Sequence, residues 1–240
     1  MRLWVAIALL LGFGACASSH FVRPLGKGGA VVNASLGGPL VQLGGADFPV
    51  PIVDVGGGYG VRDDLDLYLR ANVTALAFGD LHLEPGVAYH PLIRDGGPVP
   101  TVTVAGSLHF LTDFRTAARA LPQLSVATAW SLGRRKHMIY AGADLAISFE
   151  GKGWVPIFGP YVGAELRVSR RVGLALEAKY LAPNYDTGIL APAWVAPGGY
   201  GYVSVFLGVN VYFGTASGAS RVASREAVPS GMPAEIGGVR

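Results

Sequence analysis

Ser107, His109 and Asp113 stand close together in the chain. A hydroxyl, an imidazole and a carboxylate are the parts from which nucleophilic and acid–base sites are built. On a strand Ser107 and His109 share a face, but no residue nearby orients His109 as a base, so the spacing reads first as a filled interior. His82 and His90 also share a parity, yet eight residues of strand separate them by roughly 27 Å, too far to ligate one metal. Gly56-Gly57-Gly58-Tyr59-Gly60 lacks the Lys-Ser/Thr pair of a phosphate loop. It lies within an alternating segment, where glycine relieves crowding or permits a bend. Cys16 is the single cysteine, so the chain forms no intramolecular disulfide and no cysteine-based metal site. No cofactor is expected. Asn33-Ala34-Ser35 and Asn72-Val73-Thr74 match a glycosylation sequon, but both lie within alternating segments.

The elements that carry these residues have period two. About ten segments between Gly28 and Phe213 alternate between an apolar and a polar parity. In the segment about Leu65–Ala77, Leu65, Leu67, Leu69, Ala71, Val73 and Ala75 alternate with Asp66, Tyr68, Arg70, Asn72 and Thr74. The last segment, about Tyr202–Phe213, opposes Val203, Val205, Leu207, Val209, Val211 and Phe213 to Tyr202, Ser204, Asn210 and Tyr212. Roughly fifty apolar-parity positions hold no charge, where chance would place about seven. The polar parity collects Asp54, Asp66, Arg70, Glu84, His109, Asp144, Glu165, Arg167, Glu177 and Lys179. If this face lines a barrel, the groups converge in a narrow interior, where charges must be matched. The leading expectation is that they pair and fill it. A narrow polar pore or a small-ligand site is the functional alternative.

Alternation alone leaves the direction of the faces open. Charged residues make up only 15% of the chain, well below the roughly 25–35% expected of a soluble exterior. Aromatic residues (Tyr59, Tyr89, Trp130, Tyr180, Phe213) stand toward segment ends, as interfacial girdles do. No apolar run reaches the roughly 18 residues of a spanning helix. A closed barrel is then the remaining structure whose backbone is satisfied in lipid. The net charge of +3 is small and scattered and does not argue for nucleic acid.

Residues 1–17 read as an export signal: Met1-Arg2 is a positive start and Leu3–Phe13 an apolar stretch. Phe13-Gly14-Ala15-Cys16 resembles a bacterial lipobox, although Leu is usual at the first position. That resemblance implies a lipidated Cys16 and outer-membrane sorting, since Ala17 rather than Asp follows. Ala15-Cys16-Ala17 equally fits ordinary cleavage after Ala17. Over residues 28–213 the pattern resembles small bacterial outer-membrane barrels, whose last strand usually ends in an aromatic, here Phe213. The resemblance implies contact with outer-membrane lipid and recognition of the last strand by the barrel-assembly machinery. Ten-stranded outer-membrane proteases and small-barrel lipid A deacylases are enzymes of this kind, but no motif of theirs matches.

The sequence therefore predicts an all-β chain: one antiparallel up-and-down transmembrane barrel of about ten strands, eight being the fallback. Residues 1–17 are the signal, 18–27 a linker, 28–213 the barrel and 214–240 a disordered periplasmic tail. With the N-terminus periplasmic, short turns fall on that side. Longer loops fall outside, Gly37–Pro51 and Ala182–Gly201 being candidate contact surfaces. The expected role is structural or weakly pore-forming, not enzymatic. The rival is a periplasmic lipoprotein whose soluble barrel turns its Val and Leu stripes inward around a hydrophobic ligand.

Overall fold

The computed structural model describes residues 20–43, 45–94, 97–115, 118–133, 136–150, 153–186 and 194–214. The expected signal, Cys16 and nearly all of the expected tail lie outside the described residues. The strands are β1 (Ala30–Leu43), β2 (Ala46–Pro49), β3 (Ile52–Arg62), β4 (Leu65–Asn72), β5 (Leu81–Leu92) and β6 (Thr101–Thr112). They continue as β7 (Ala118–Leu132), β8 (His137–Glu150), β9 (Gly153–Arg167), β10 (Val172–Asp186) and β11 (Tyr200–Phe213). Each strand of the ring pairs antiparallel with its neighbour, and β11 returns to β1 with Ala30 opposite Phe213 and Leu36 opposite Leu207. Ten strands thus close into an up-and-down barrel without a free edge. β2 alone stands outside the ring, as a hairpin partner of the upper end of β1.

The faces are sorted as the low charge predicts. Val32, Leu36, Val55, Leu67, Leu69, Val162, Leu176 and Leu207 are exposed on the outside, Leu207 by 62%. Asn33, Asp54, Asp66, Arg70, Glu84, Asp144, Glu165, Glu177 and Lys179 are buried inside. Tyr59, Tyr89 and Phe213 point outward near the short-turn end, whereas Phe78, Phe114, Phe149 and Trp154 are exposed near the other.

Local chemistry moved some boundaries. The segment expected to be strand up to Ala77 ends at Asn72, whose side chain accepts from Ala75 N and caps the five-residue helix α1 (Val73–Ala77). An N-cap that satisfies an orphan N–H favours the helical turn over one more rung. Thr74 Oγ1 accepts from Val53 N and ties that turn to β3. Conversely, β9 starts at Gly153, so β8 and β9 stay paired almost to their connection, with rungs through Phe149↔Trp154 and Glu150↔Gly153. The two external segments expected as contact surfaces meet each other. Val41 bridges Trp194, and Val195 N donates to Leu40 O.

Glycine explains how large rings fit an interior this narrow. Tyr68 stands opposite Gly86, Tyr140 opposite Gly163 and Tyr161 opposite Gly142. A Cβ at any of these glycines would collide with the ring of the facing tyrosine. Each bare backbone position is therefore a seat for an aromatic ring across the rung.

Candidate functional site: a lumen occupied by the chain's own N-terminal segment

Residues 20–26, part of the expected linker, instead run inside the ring, with Lys27 exposed at its rim. They turn in from β1 at Gly26 and Gly28, both at positive φ (69° and 79°), a conformation glycine adopts at little cost. Gly28 N donates to Gly60 O and Gly60 N to Gly29 O. A Cβ at Gly60 would overlap the Gly26 carbonyl, and one at Gly58 would crowd Leu25. The glycine run of β3 is thus the surface on which the segment enters.

From that end upward the segment meets a series of carboxylates. Leu25 N donates to Asp66 Oδ2 at 3.0 Å, and the same oxygen meets His90 Nε2 at 3.0 Å. Arg23 Nε donates to Glu165 Oε1 at 2.9 Å, while its Nη2 donates to Lys136 O at 2.8 Å. Glu165 also accepts from Asn210 Nδ2 at 2.8 Å and from the Tyr212 hydroxyl. Deepest of the described residues is His20. Its backbone N–H reaches Glu177 Oε2 at 3.0 Å, its Nδ1 meets Glu177 Oε1 at 3.1 Å and its Nε2 meets Asp144 Oδ1 at 2.9 Å. Its ring stacks on Tyr161 at 3.8 Å with 10° between planes. Lys179 lies 3.4 Å from Asp144 and 3.5 Å from Glu177, and Tyr140 donates to Glu177 at 2.9 Å.

Apolar side chains fill the space between these polar contacts. Val22 packs with Ala127, Ala129, Met138, Tyr140 and Tyr161, and Leu25 with Val31 and Tyr212. The Arg70 guanidinium lies over the Phe21 ring at 4.7 Å and pairs with Glu84 at 3.5 Å. A cavity of about 10 Å³ remains between His20, Arg23, Glu165 and Tyr212. That is room for about one water molecule.

The polar residues predicted from the sequence are thus brought together as one interior, with two qualifications. Asp54 is buried on the β3 wall, across the rung from Asn72, and is not among the carboxylates described as bonding the segment. His109 joins His82 at 3.1 Å and Gln123 at 2.9 Å near the far end, a separate cluster in which His82 Nδ1 is buried without a partner among the described residues. The Ser107, His109 and Asp113 grouping is not assembled. Ser107 stands on the rung of Gly86, the glycine that seats Tyr68, and Asp113 accepts from Arg115 N in a turn. Among the described residues no cluster of three or more His, Cys, Asp or Glu is arranged to hold a metal.

Sequence reasoning missed His20, Phe21, Val22, Arg23 and Leu25. Two signals were present. Phe21-Val22 and Leu25 are unusually apolar for a linker, and the inward carboxylates outnumber the inward Arg and Lys of the strands, so a cationic filler was needed.

No protein-family model matches the chain, and no curated protein matches it. Solved structures are similar in outline. The translocator domain of the autotransporter NalP from Neisseria meningitidis has a TM-score of 0.49 at 12% identity, over 88% of this chain and 98% of that one. The NanC porin has a TM-score of 0.45 at 9% identity, over 76% and 98%. The outer membrane protease OmpT from Escherichia coli has a TM-score of 0.36 at 9% identity, over 82% and 99%. Ring closure and the burial pattern, rather than these likenesses, bear on function.

Proposed function

We propose that this chain is an integral barrel of the bacterial outer membrane, held shut by its own N-terminal segment. Its role is structural, with conduction only when that segment withdraws. The observation that carries the reading is the sorting of faces around a closed ring. Large apolar side chains are exposed on the outside of the ring, a surface far beyond the few hundred Å² that a soluble monomer leaves in water. Lipid satisfies that surface, and closure leaves no backbone edge unpaired within the bilayer. The rival hydrophobe carrier requires the Val and Leu stripes inside, whereas they point outward.

The docked segment favours cleavage after Ala17 over lipidation of Cys16. His20 is bound to Glu177, five residues above the start of β10, and to Asp144, seven above the start of β8. With strand rise and tilt this is about 13–18 Å inside the short-turn rim. Four residues extend about 14 Å at most. With His20 docked, Cys16 would reach the rim only if the residues between were drawn out straight, so docking of His20 and an acyl chain in lipid compete.

The test is to refold residues 18–240 with and without detergent micelles. Folding confined to micelles, with migration that shifts on boiling and almost no conductance in planar bilayers, is the expected result. A compact monomer without detergent would sink the membrane reading. A large constant conductance would sink the closed state.

A further inference from the structure

We infer that the barrel wall is a binding site for cationic peptide guests, with residues 20–25 as the resident guest, and that the vacated lumen is selective for cations. This rests on the reading of a membrane barrel closed by its N-terminal segment.

The resident segment is held as a ligand is held. Among the described residues, 20–25 make no backbone-to-backbone bond with the wall; such bonds begin at Gly28. The charged contacts of the segment instead run to wall carboxylates: the imidazole of His20 to Asp144 and Glu177, the guanidinium of Arg23 to Glu165, the N–H of Leu25 to Asp66. Charge-assisted bonds of this kind are roughly twice as strong as neutral ones. The glycines at 26 and 28 provide a hinge on which the segment can leave without disturbing β1.

The wall is built for more positive charge than the strands supply. Buried Asp54, Asp66, Glu84, Asp144, Glu165 and Glu177 outnumber Arg70, Lys179 and the mostly buried Arg167. Asp66 carries an independent mark of the same demand: its Oδ1 is buried with no hydrogen-bond partner among the described residues. With His20 and Arg23 withdrawn, the carboxylates would face water in a confined, low-dielectric passage. Such a passage concentrates cations and repels anions. The guest chemistry is set by the three levels of contact: a short peptide with a main-chain N–H near Asp66, a guanidinium near Glu165, and an imidazole or another flat cation against Tyr161.

The test uses the full mature chain with His20→Glu and Arg23→Glu, which sets like charges against the wall and expels the segment. Folding is checked by heat-modifiable migration. In planar bilayers with a salt gradient, this variant is expected to conduct with a reversal potential of the sign set by cation permeation. Adding a peptide copying residues 20–25 should block the current, while the same peptide with Glu in place of its His and Arg should not. Placing Glu165→Gln in the variant should raise the peptide concentration needed by about tenfold, the equivalent of one charged hydrogen bond. Anion selectivity, or equal block by both peptides, would overturn the inference. If the variant folds but stays silent, the conduction reading falls by itself, and peptide binding in micelles then decides the guest site. If the variant does not fold, Arg23→Ala with added peptide takes its place, with the same two results decisive.

Discussion

Leu207→Arg puts the membrane reading at risk most directly. Leu207 lies on β11, opposite Leu36 of β1 and Leu176 of β10, with 62% of its surface outside the ring. It is six residues above Phe213, where β11 ends. At about 3.3 Å per residue and a tilt of about 40°, that places it roughly 15 Å above the short-turn rim, near the middle of an apolar band about 25 Å tall. A guanidinium there costs about 2–4 kcal/mol in lipid, a factor of about thirty to nearly a thousand in the folding equilibrium. Tyr59 is exposed on the rung that pairs it with Ala30, at the level of Phe213. There the same change costs about 0–1 kcal/mol. If the outside of the ring faced water, both would be ordinary surface substitutions within about 0.5 kcal/mol. Guanidinium titrations of folding into phospholipid vesicles, followed by tryptophan fluorescence and gel migration, measure the difference. Equal, near-zero effects at Leu207 and Tyr59 would refute the reasoning, because depth dependence is a property of lipid and not of water.

Other outcomes concern the interior. Gly163→Ala drives a methyl into the Tyr140 ring and pulls its hydroxyl from Glu177. A loss of about 1–3 kcal/mol is expected, read as a lower temperature for the gel shift. Arg23→Ala leaves Glu165 with Asn210 and the Tyr212 hydroxyl but without its cation from the segment. Because Arg23 is partly exposed, about 1–3 kcal/mol is expected rather than the full cost of orphaning a buried charge, together with intermittent opening in bilayer recordings. Metabolic labelling with palmitate should leave the mature protein unlabelled, as it leaves Cys16→Ser. Label on the wild type alone would show that His20 does not stay docked.

Much of the wall was legible in the chain. Leu65 to Asn72 alternates so regularly that strand, face and partner parity could all be read locally. The low overall charge, too small for a soluble exterior, and the aromatics toward segment ends pointed the apolar parity outward. Misreadings came where a local bond competes with the pattern. Asn72 and Thr74 look like the polar half of a longer strand, but one caps a helix and the other binds β3. His109 looked closest to Ser107 and Asp113 because they are near in sequence; its partners are His82, 27 residues earlier, and Gln123, 14 residues later.

The period-two pattern depends only on neighbouring residues, because side chains on a strand alternate whatever lies across from them. The sequence by itself therefore determined strands, two faces and an even ring. What occupies the ring depends on distant contacts. His20 meets Asp144 across 124 residues and Glu177 across 157, and those carboxylates converge only once Ala30 has closed on Phe213. The shape of the interior is set by the registers of ten strands together. Only the tertiary structure could show that the cations balancing the wall come from the residues before the first strand.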